Sequence, residues 1–353
     1  MAVAVKAHPG STTHEEVVSV RGSRSGAPIS IAIHSTALGP ALGGCRIWSY
    51  EHPDEAERDA LRLSEGMTLK AAAAGLELGG GKGVIRAPRR GFDAATRRDA
   101  LLDFGDLVES LGGRYITAED VGVSPGDMTV VAERTSHVTG LPATNGGSGD
   151  PSPVTAVGVE AAMLACARER WGRDDLAGAL VAIVGLGHVG GCLARLLRDR
   201  GCELMVADVD PGKRAVAETL NARWVDPALA MRAEADVLAP CALGGVLTAE
   251  SVHRLRCEVI CGAANNQLAD DSLAEAIAAR GILFGPDFIA NAGGLINVYR
   301  EIKGYDEDAA LRLARGIEGT MASVLGHARE RIITPLDAAR TLAAERLDAA
   351  VAH

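Results

Sequence analysis

Two lysines stand among small, uncharged neighbours. Lys70 precedes Ala71-Ala72-Ala73-Ala74, and Lys82 lies between Gly79-Gly80-Gly81 and Gly83-Val84-Ile85, with Glu77 its nearest acidic neighbour in sequence. An ammonium stripped of water has its charged form disfavoured, so its proton affinity falls and a neutral amine becomes available as a general base near neutral pH. The same setting also fits two surface lysines laid along their apolar stems, and the lysines alone do not decide between these readings. Asp120, in Thr117-Ala118-Glu119-Asp120-Val121-Gly122, follows a short strand expected over residues 114–116. A carboxylate at a strand end faces the side on which α/β proteins place their chemistry. By itself Asp120 reads as a turn or helix-cap aspartate. Together, lysine and carboxylate could activate water and return a proton at a carbon that loses hydride. His34, His137 and His188 form no H-x-x-H or H-E-x-x-H spacing, so no metal site is expected.

A second group of residues has the spacing of a phosphate cradle. Gly185-Leu186-Gly187-His188-Val189-Gly190 follows the apolar run LVAIV at residues 180–184 and opens a helix expected over 189–200, and Asp208 ends the next strand, expected over 204–207. The first glycine permits a tight turn, the second lets backbone N–H groups approach a pyrophosphate, and the third allows close helix–strand packing; the helix N-terminus adds partial positive charge. Asp208 would accept hydrogen bonds from the adenosine ribose hydroxyls and repel a 2′-phosphate, which predicts NAD over NADP.

These groups need elements to hold them. A strand is expected over residues 29–34, a helix over 54–69 with Pro53 at its first turn, a glycine cluster at 79–81 leading into Val84-Ile85, and a helix over 94–111 stopped by Gly112-Gly113. The stretch 141–152 (LPATNGGSGDPS) carries no hydrophobic period and marks a domain boundary. Beyond it come a helix over 154–171, the strand–helix–strand unit around the glycine motif, and further strands at 237–239, 259–261 and 282–284. That order predicts a doubly wound parallel sheet. Residues 309–352 read as two helical segments divided near Thr334-Pro335, the second packing back on the first domain. The expected division is a first domain over 1–145 joined by 335–353, and a dinucleotide domain over 146–334.

Composition excludes other classes. With 353 residues, 47% apolar and 23% charged, the chain falls in the soluble globular range, and a formal charge of −10 leaves no general basic field for nucleic acid or an anionic membrane. No apolar run has the length of a membrane span, and the first residues break at His8, Pro9 and Gly10 before a signal-peptide core could form, so a cytoplasmic location is expected. The seven scattered cysteines contain no C-x-x-C pair and read as small buried hydrophobes.

Several longer runs resemble the Glu/Leu/Phe/Val dehydrogenase family: STALGPALGGCR (35–46), GMTLKAAAAGLELGGGKGVI (66–85), TAEDVGV (117–123), GDPSPVTAVGV (149–159), APCALGG (239–245), GAANNQLAD (262–270) and PDFIANAGGLINV (286–298). The similarity covers nearly the whole chain. It implies a two-domain α/β amino-acid dehydrogenase, with an N-terminal substrate and oligomerisation domain and a Rossmann-type NAD domain. It further implies reversible oxidative deamination of an L-amino acid to a 2-oxo acid and ammonia by a homo-oligomer. Position by position, Lys82 resembles the general base, Asp120 the acid that shuttles a proton, and Lys70 the group that binds the substrate carboxylate. Gly43 and Gly44 resemble a loop packed beside the substrate; Thr155, Asn265 and Asn291 resemble the residues that hold the nicotinamide half of NAD. Leu42, Met67 and Ala118 resemble the aliphatic lining of the leucine and valine enzymes, and Leu295, bulkier than the valine of the leucine enzymes, narrows it toward valine. Residues 298–302 (VYREI) depart from that pattern, and Arg300-Glu301 is similar to some phenylalanine dehydrogenases, which makes phenylalanine the alternative substrate. A 2-hydroxy acid dehydrogenase would need a histidine with an arginine clamp, which is not evident, and a non-catalytic NAD module would leave Lys70, Lys82 and Asp120 without a common purpose.

Overall fold

A computed structural model describes residues 14–52 and 54–352; Pro53, His8, Pro9 and Gly10 lie outside the described residues. The chain divides into two compact units, the first made of residues up to 149 with 298–305 and 343–353, the second of residues 150–297 with 306–342.

The first unit is built on a five-stranded mixed sheet in the order β1-β2-β4-β3-β5, with β1 Glu16–Arg21, β2 Pro28–Ser35, β3 Ala41–Trp48, β4 Gly79–Arg86 and β5 Tyr115–Glu119. Strands β3, β4 and β5 run parallel, while β2 is antiparallel to both β1 and β4. Helix α1 (Glu55–Ala73) connects β3 to β4 and α2 (Ala94–Ser110) connects β4 to β5, followed by α3 (Pro125–Ala132). Alternation along the strands sends Ile29, Ile31, Ile33 and Ile85 into a core with Phe104 and Leu107 of α2, while Ala32 and Val84 meet Ala56 and Ala60 of α1. Strands β1 and β3 and helix α3 are not among the expected elements, and residues 79–81 are expected only as a glycine cluster leading into Val84-Ile85. They begin β4, the central strand, whose glycines carry no hydrophobic period to betray it.

The second unit holds a six-stranded sheet in the order β11-β10-β9-β6-β7-β8, all neighbours parallel. Its strands are β6 Leu180–Val184, β7 Glu203–Ala207, β8 Arg223–Trp224, β9 Val237–Pro240, β10 Val259–Ile260 and β11 Leu283–Phe284. The strand order reverses at β6, the doubly wound pattern in which ligands bind beyond the carboxyl ends of the strands. Helix α4 (Ser152–Trp171) is buried along most of its length, and α5 (His188–Asp199) joins β6 to β7. The C-terminal stretch forms three helices, Glu307–Arg315, Ile317–Arg331 and Pro335–Val351, where two were expected. Gly316 keeps helical angles (φ −61°, ψ −17°) at the extra break, so the apolar period runs through it unmarked. The helix Gly293–Ile302 was also unforeseen. No helix among the described residues is long and apolar enough to cross a membrane.

Candidate active site

Lys82 lies in the middle of β4, and its burial follows from its neighbours. A methyl on Gly80 would fall 2.1 Å from the backbone nitrogen of Thr68 in α1, and one on Gly83 would fall 2.5 Å from the Phe104 ring. Only glycine lets a helix and a ring approach the strand so closely. The helix covers the face from which Lys82 projects, the ring packs on the opposite face, and the lysine is left with 5% of its surface exposed. Its Nζ lies 2.8 Å from Oδ2 of Asp120, the residue that follows β5. Desolvation pushes the Lys82 ammonium below its ordinary pKa, outweighing the attraction of Asp120. Burial alone would push the Asp120 carboxyl up, but Lys82 and Arg46 outweigh it and hold the carboxyl below the usual range.

Gly43 and Gly44 belong to strand β3, not to a loop. A methyl on Gly43 would meet the Gly81 carbonyl oxygen at 1.7 Å, and one on Gly44 would meet Cβ of Asp120 at 2.8 Å. These two glycines therefore set how near Asp120 and β4 can come. Leu42 and Ala118 are buried on β3 and β5, and Met67 and Lys70 are half-buried on α1, Lys70 in its last turn. Leu295 is buried in the second unit. Arg46 was missed from sequence: its Nε donates to Oδ2 of Asp120 at 2.8 Å and its Nη1 to Oδ2 of Asp59, also at 2.8 Å. Once residues 41–48 are known to be a strand, Arg46 stands two residues beyond Gly44 on the same face, which is the signal that could have found it.

The second unit carries the glycine motif between β6 and α5. Gly185 takes φ +110°, and a methyl on Gly190 would meet the Gly185 carbonyl at 2.0 Å. A methyl on Gly187 would meet nothing within 4 Å, and no side chain caps the α5 N-terminus that Gly187 begins. Open space beside uncapped N–H groups suits an approaching phosphate. His188 is exposed and Val189 half-buried in the same turn. Asp208 accepts from the Leu186 amide at 2.7 Å and from the Asp210 amide at 2.9 Å, which fixes its carboxylate at the end of β7. Asn291 donates to the Asn265 side chain at 2.9 Å, while its own buried Oδ1 has no partner. Thr155 donates to the Pro151 carbonyl at 2.9 Å. An open glycine turn, a held carboxylate and an orphaned amide oxygen fit a dinucleotide.

Comparison with known proteins agrees with this architecture. Residues 14–137 match the family described as Glu/Leu/Phe/Val dehydrogenase, dimerisation domain, and residues 208–353 match Glutamate/Leucine/Phenylalanine/Valine dehydrogenase. The leucine dehydrogenase of Bacillus subtilis (strain 168) is 44% identical over 338 residues, covering 95% of this chain and 92% of that one. The valine dehydrogenase of Streptomyces virginiae is 42% identical over 351 residues, covering 96% and 95%. The crystal structure of L-tryptophan dehydrogenase from Nostoc punctiforme superposes with a TM-score of 0.86 at 40% identity, covering 97% of this chain and 98% of that one. A similarity that runs through both units at this level makes the chain a member of the Glu/Leu/Phe/Val dehydrogenase family of nicotinamide-dependent amino-acid dehydrogenases.

Proposed function

We propose that this protein is an NAD-dependent L-amino-acid dehydrogenase that reversibly deaminates an aliphatic substrate, valine or leucine, to the 2-oxo acid and ammonia. The observation that carries the reading is the desolvated Lys82 against the Asp120 carboxylate. The names of the leucine and valine relatives support the substrate class, as do the small and aliphatic residues Leu42, Ala118 and Leu295. The tryptophan enzyme among the relatives gives weight to an aromatic alternative, phenylalanine included.

In this mechanism the dinucleotide, when bound, supplies the acceptor for the hydride that leaves the substrate α-carbon. The turn Gly185–Gly190 and the α5 N-terminus would hold its pyrophosphate, Asp208 its adenosine ribose, and Thr155, Asn265 and Asn291 its nicotinamide half. Asp208 favours NAD because a second negative charge beside a fixed carboxylate is repelled. Lys70 holds the substrate carboxylate. Neutral Lys82 removes a proton from the water that adds to the substrate iminium carbon. Asp120 passes protons to and from nitrogen as the carbinolamine forms and breaks, releasing ammonia and the 2-oxo acid. Net, one amino acid, one oxidised dinucleotide and one water give the 2-oxo acid, ammonium, reduced dinucleotide and a proton.

The segment matched as a dimerisation domain supports a homo-oligomer, and seven free cysteines suit a reducing, cytoplasmic compartment. The test is reduced-dinucleotide formation with L-valine, L-leucine, L-phenylalanine and L-tryptophan at alkaline pH. We expect highest kcat/KM for an aliphatic substrate and a loss of about 100-fold or more in Lys82→Ala. Turnover of 2-hydroxy acids in place of amino acids would overturn the proposal.

A further inference from the structure

We infer that Arg46 is a positioning residue for this reaction: held from outside by Asp59, it fixes the Asp120 carboxylate by one oxygen and leaves the other free for proton transfer. The inference rests on the deamination reading above.

Its basis is how the contacts are shared. Lys82 Nζ and Arg46 Nε both reach Oδ2 of Asp120, each at 2.8 Å. Oδ1 of Asp120 receives no hydrogen bond from the described residues. Two nitrogen donors on one oxygen pin the carboxylate plane and leave the second oxygen as the one that can take or give a proton. Arg46 is itself pinned. Its Nη1 donates to Oδ2 of Asp59 on α1, and Asp59 also accepts from Tyr50 Oη at 2.7 Å and from Arg62 Nη2 at 2.9 Å. Side-chain exposure is 19% at Arg46 and 15% at Asp59, so neither is a free surface charge.

The groups facing this chain are Lys82 from β4, Cys45 and Arg46 from β3, Asp120 after β5, Asp59 and Arg62 from α1, and Tyr50 beyond β3. Burial pushes the Cys45 thiol and the Tyr50 hydroxyl up, so both stay neutral. The charges that act on Lys82 are therefore Asp120, which raises its proton affinity, and Arg46, which lowers it. Arg46 likewise lowers the proton affinity of Asp120. Removing the guanidinium shifts both groups in the same direction, upward.

The experiment is the pH profile of amino-acid oxidation by wild type, Arg46→Gln, Arg46→Lys and Asp59→Asn, with thermal melting of each. In Arg46→Gln, kcat is expected to fall roughly 10- to 100-fold, and the acid limb of kcat/KM to move up by about one pH unit. Arg46→Lys keeps the charge but loses the fork that joins two carboxylates. It should return the limb toward wild type while kcat stays low. Should Arg46→Gln fail to fold, Asp59→Asn carries the test: kcat falls several-fold while KM for the amino acid stays near wild type. A folded Arg46→Gln with its limb unmoved, or a folded Asp59→Asn with wild-type kcat, overturns the positioning role, reduces Arg46 to a merely structural tie and leaves the deamination reading intact. A wild-type protein that oxidises no L-amino acid overturns that reading and this inference with it.

Discussion

A methyl group at Gly80 would sit 2.1 Å from the amide nitrogen of Thr68, so the α1 backbone rests directly on the strand that carries Lys82. The helix contributes its small residues to that contact: Ala56, Ala60, Ser64 and Thr68 recur every four residues and are all buried. Glycines on the strand and small residues on the helix together bring α1 against the face of β4 from which Lys82 projects. Gly80→Ala should therefore cost about 1–3 kcal/mol of stability and depress turnover, because α1 must lift away. Gly66, exposed on the same helix with nothing within 4 Å of an added methyl, is the control. Gly66→Ala should gain up to about 1 kcal/mol. Urea denaturation of the pair reads both signs, and equal midpoints would contradict the close packing described here.

Asp208 controls the dinucleotide through charge. Its two oxygens are oriented by the Leu186 and Asp210 amides, and the neighbouring Val209 is 90% exposed, with room for a longer side chain. Replacing Asp208 by Ser and Val209 by Arg removes the repulsion and adds a partner for a 2′-phosphate. The expected outcome is a reversal of the NAD/NADP preference in kcat/KM, by about 100-fold or more overall, since a charge-assisted contact contributes about 1.5–3 kcal/mol. An unchanged preference would remove Asp208 from the ribose role.

Asp103 ties the β1–β2 turn to α2. It is 3% exposed and accepts from the Arg24 and Ser25 amides, the Ser25 hydroxyl at 2.7 Å and the Arg24 guanidinium at 2.9 Å. Burial alone would raise the Asp103 pKa, but the Ser25 and Arg24 hydrogen bonds prevail and hold it below the usual range. A carboxyl whose folded pKa lies below its unfolded one contributes stability that is complete above the unfolded pKa, about 3.9, and is lost as pH falls through the folded one. Asp103→Asn should cost about 2–4 kcal/mol at pH 7. The gap between variant and wild type should narrow as pH drops below about 4. Denaturant midpoints at the two pH values check the sign.

How far the sequence disclosed all this depends on the kind of signal each part leaves. Strand β6 and helix α5 were legible because an apolar run, a glycine turn and a helical period follow one another in the order a βαβ unit requires. Strands β3 and β4 were not, since Gly43, Gly44 and Gly79 to Gly81 erase the alternation that marks a strand. Helix α1 was read as ending at residue 69, yet it continues to Ala73, because the run after Lys70 is polyalanine and shows no face of its own. Lys82 could be singled out by its small, uncharged neighbours, and Asp120 by its place at the end of an expected strand. Arg46 could not, for an arginine after a glycine pair looks like any surface cation until its strand is known.

Glu301 shows the same limit and gives the last prediction. In sequence it belongs to the VYREI stretch and bears on substrate choice; in the structure its carboxylate is occupied elsewhere. It accepts from the Gly140 amide at 3.2 Å, the Leu141 amide at 3.4 Å, and the Ser148 amide and hydroxyl at 3.0 and 2.8 Å. One carboxylate thus staples both ends of residues 140–148, a segment whose only regular structure is the short turn Ala143–Asn145. Besides local turn bonds to Pro142 and Ala143 and the packing of Leu141 on the core, this carboxylate joins the two ends, so losing the acceptor loosens the segment locally before it affects the whole fold. Glu301→Ala should raise amide hydrogen exchange at Leu141 and Ser148 by about 10-fold or more, from hydrogen bonds to a charged group worth about 1.5–3 kcal/mol. The order of preference among valine, leucine and phenylalanine should stay as in wild type, because the side chain is turned to the 140–148 backbone. A changed preference with unchanged exchange would mean that Glu301 acts on the substrate and that the staple contributes nothing.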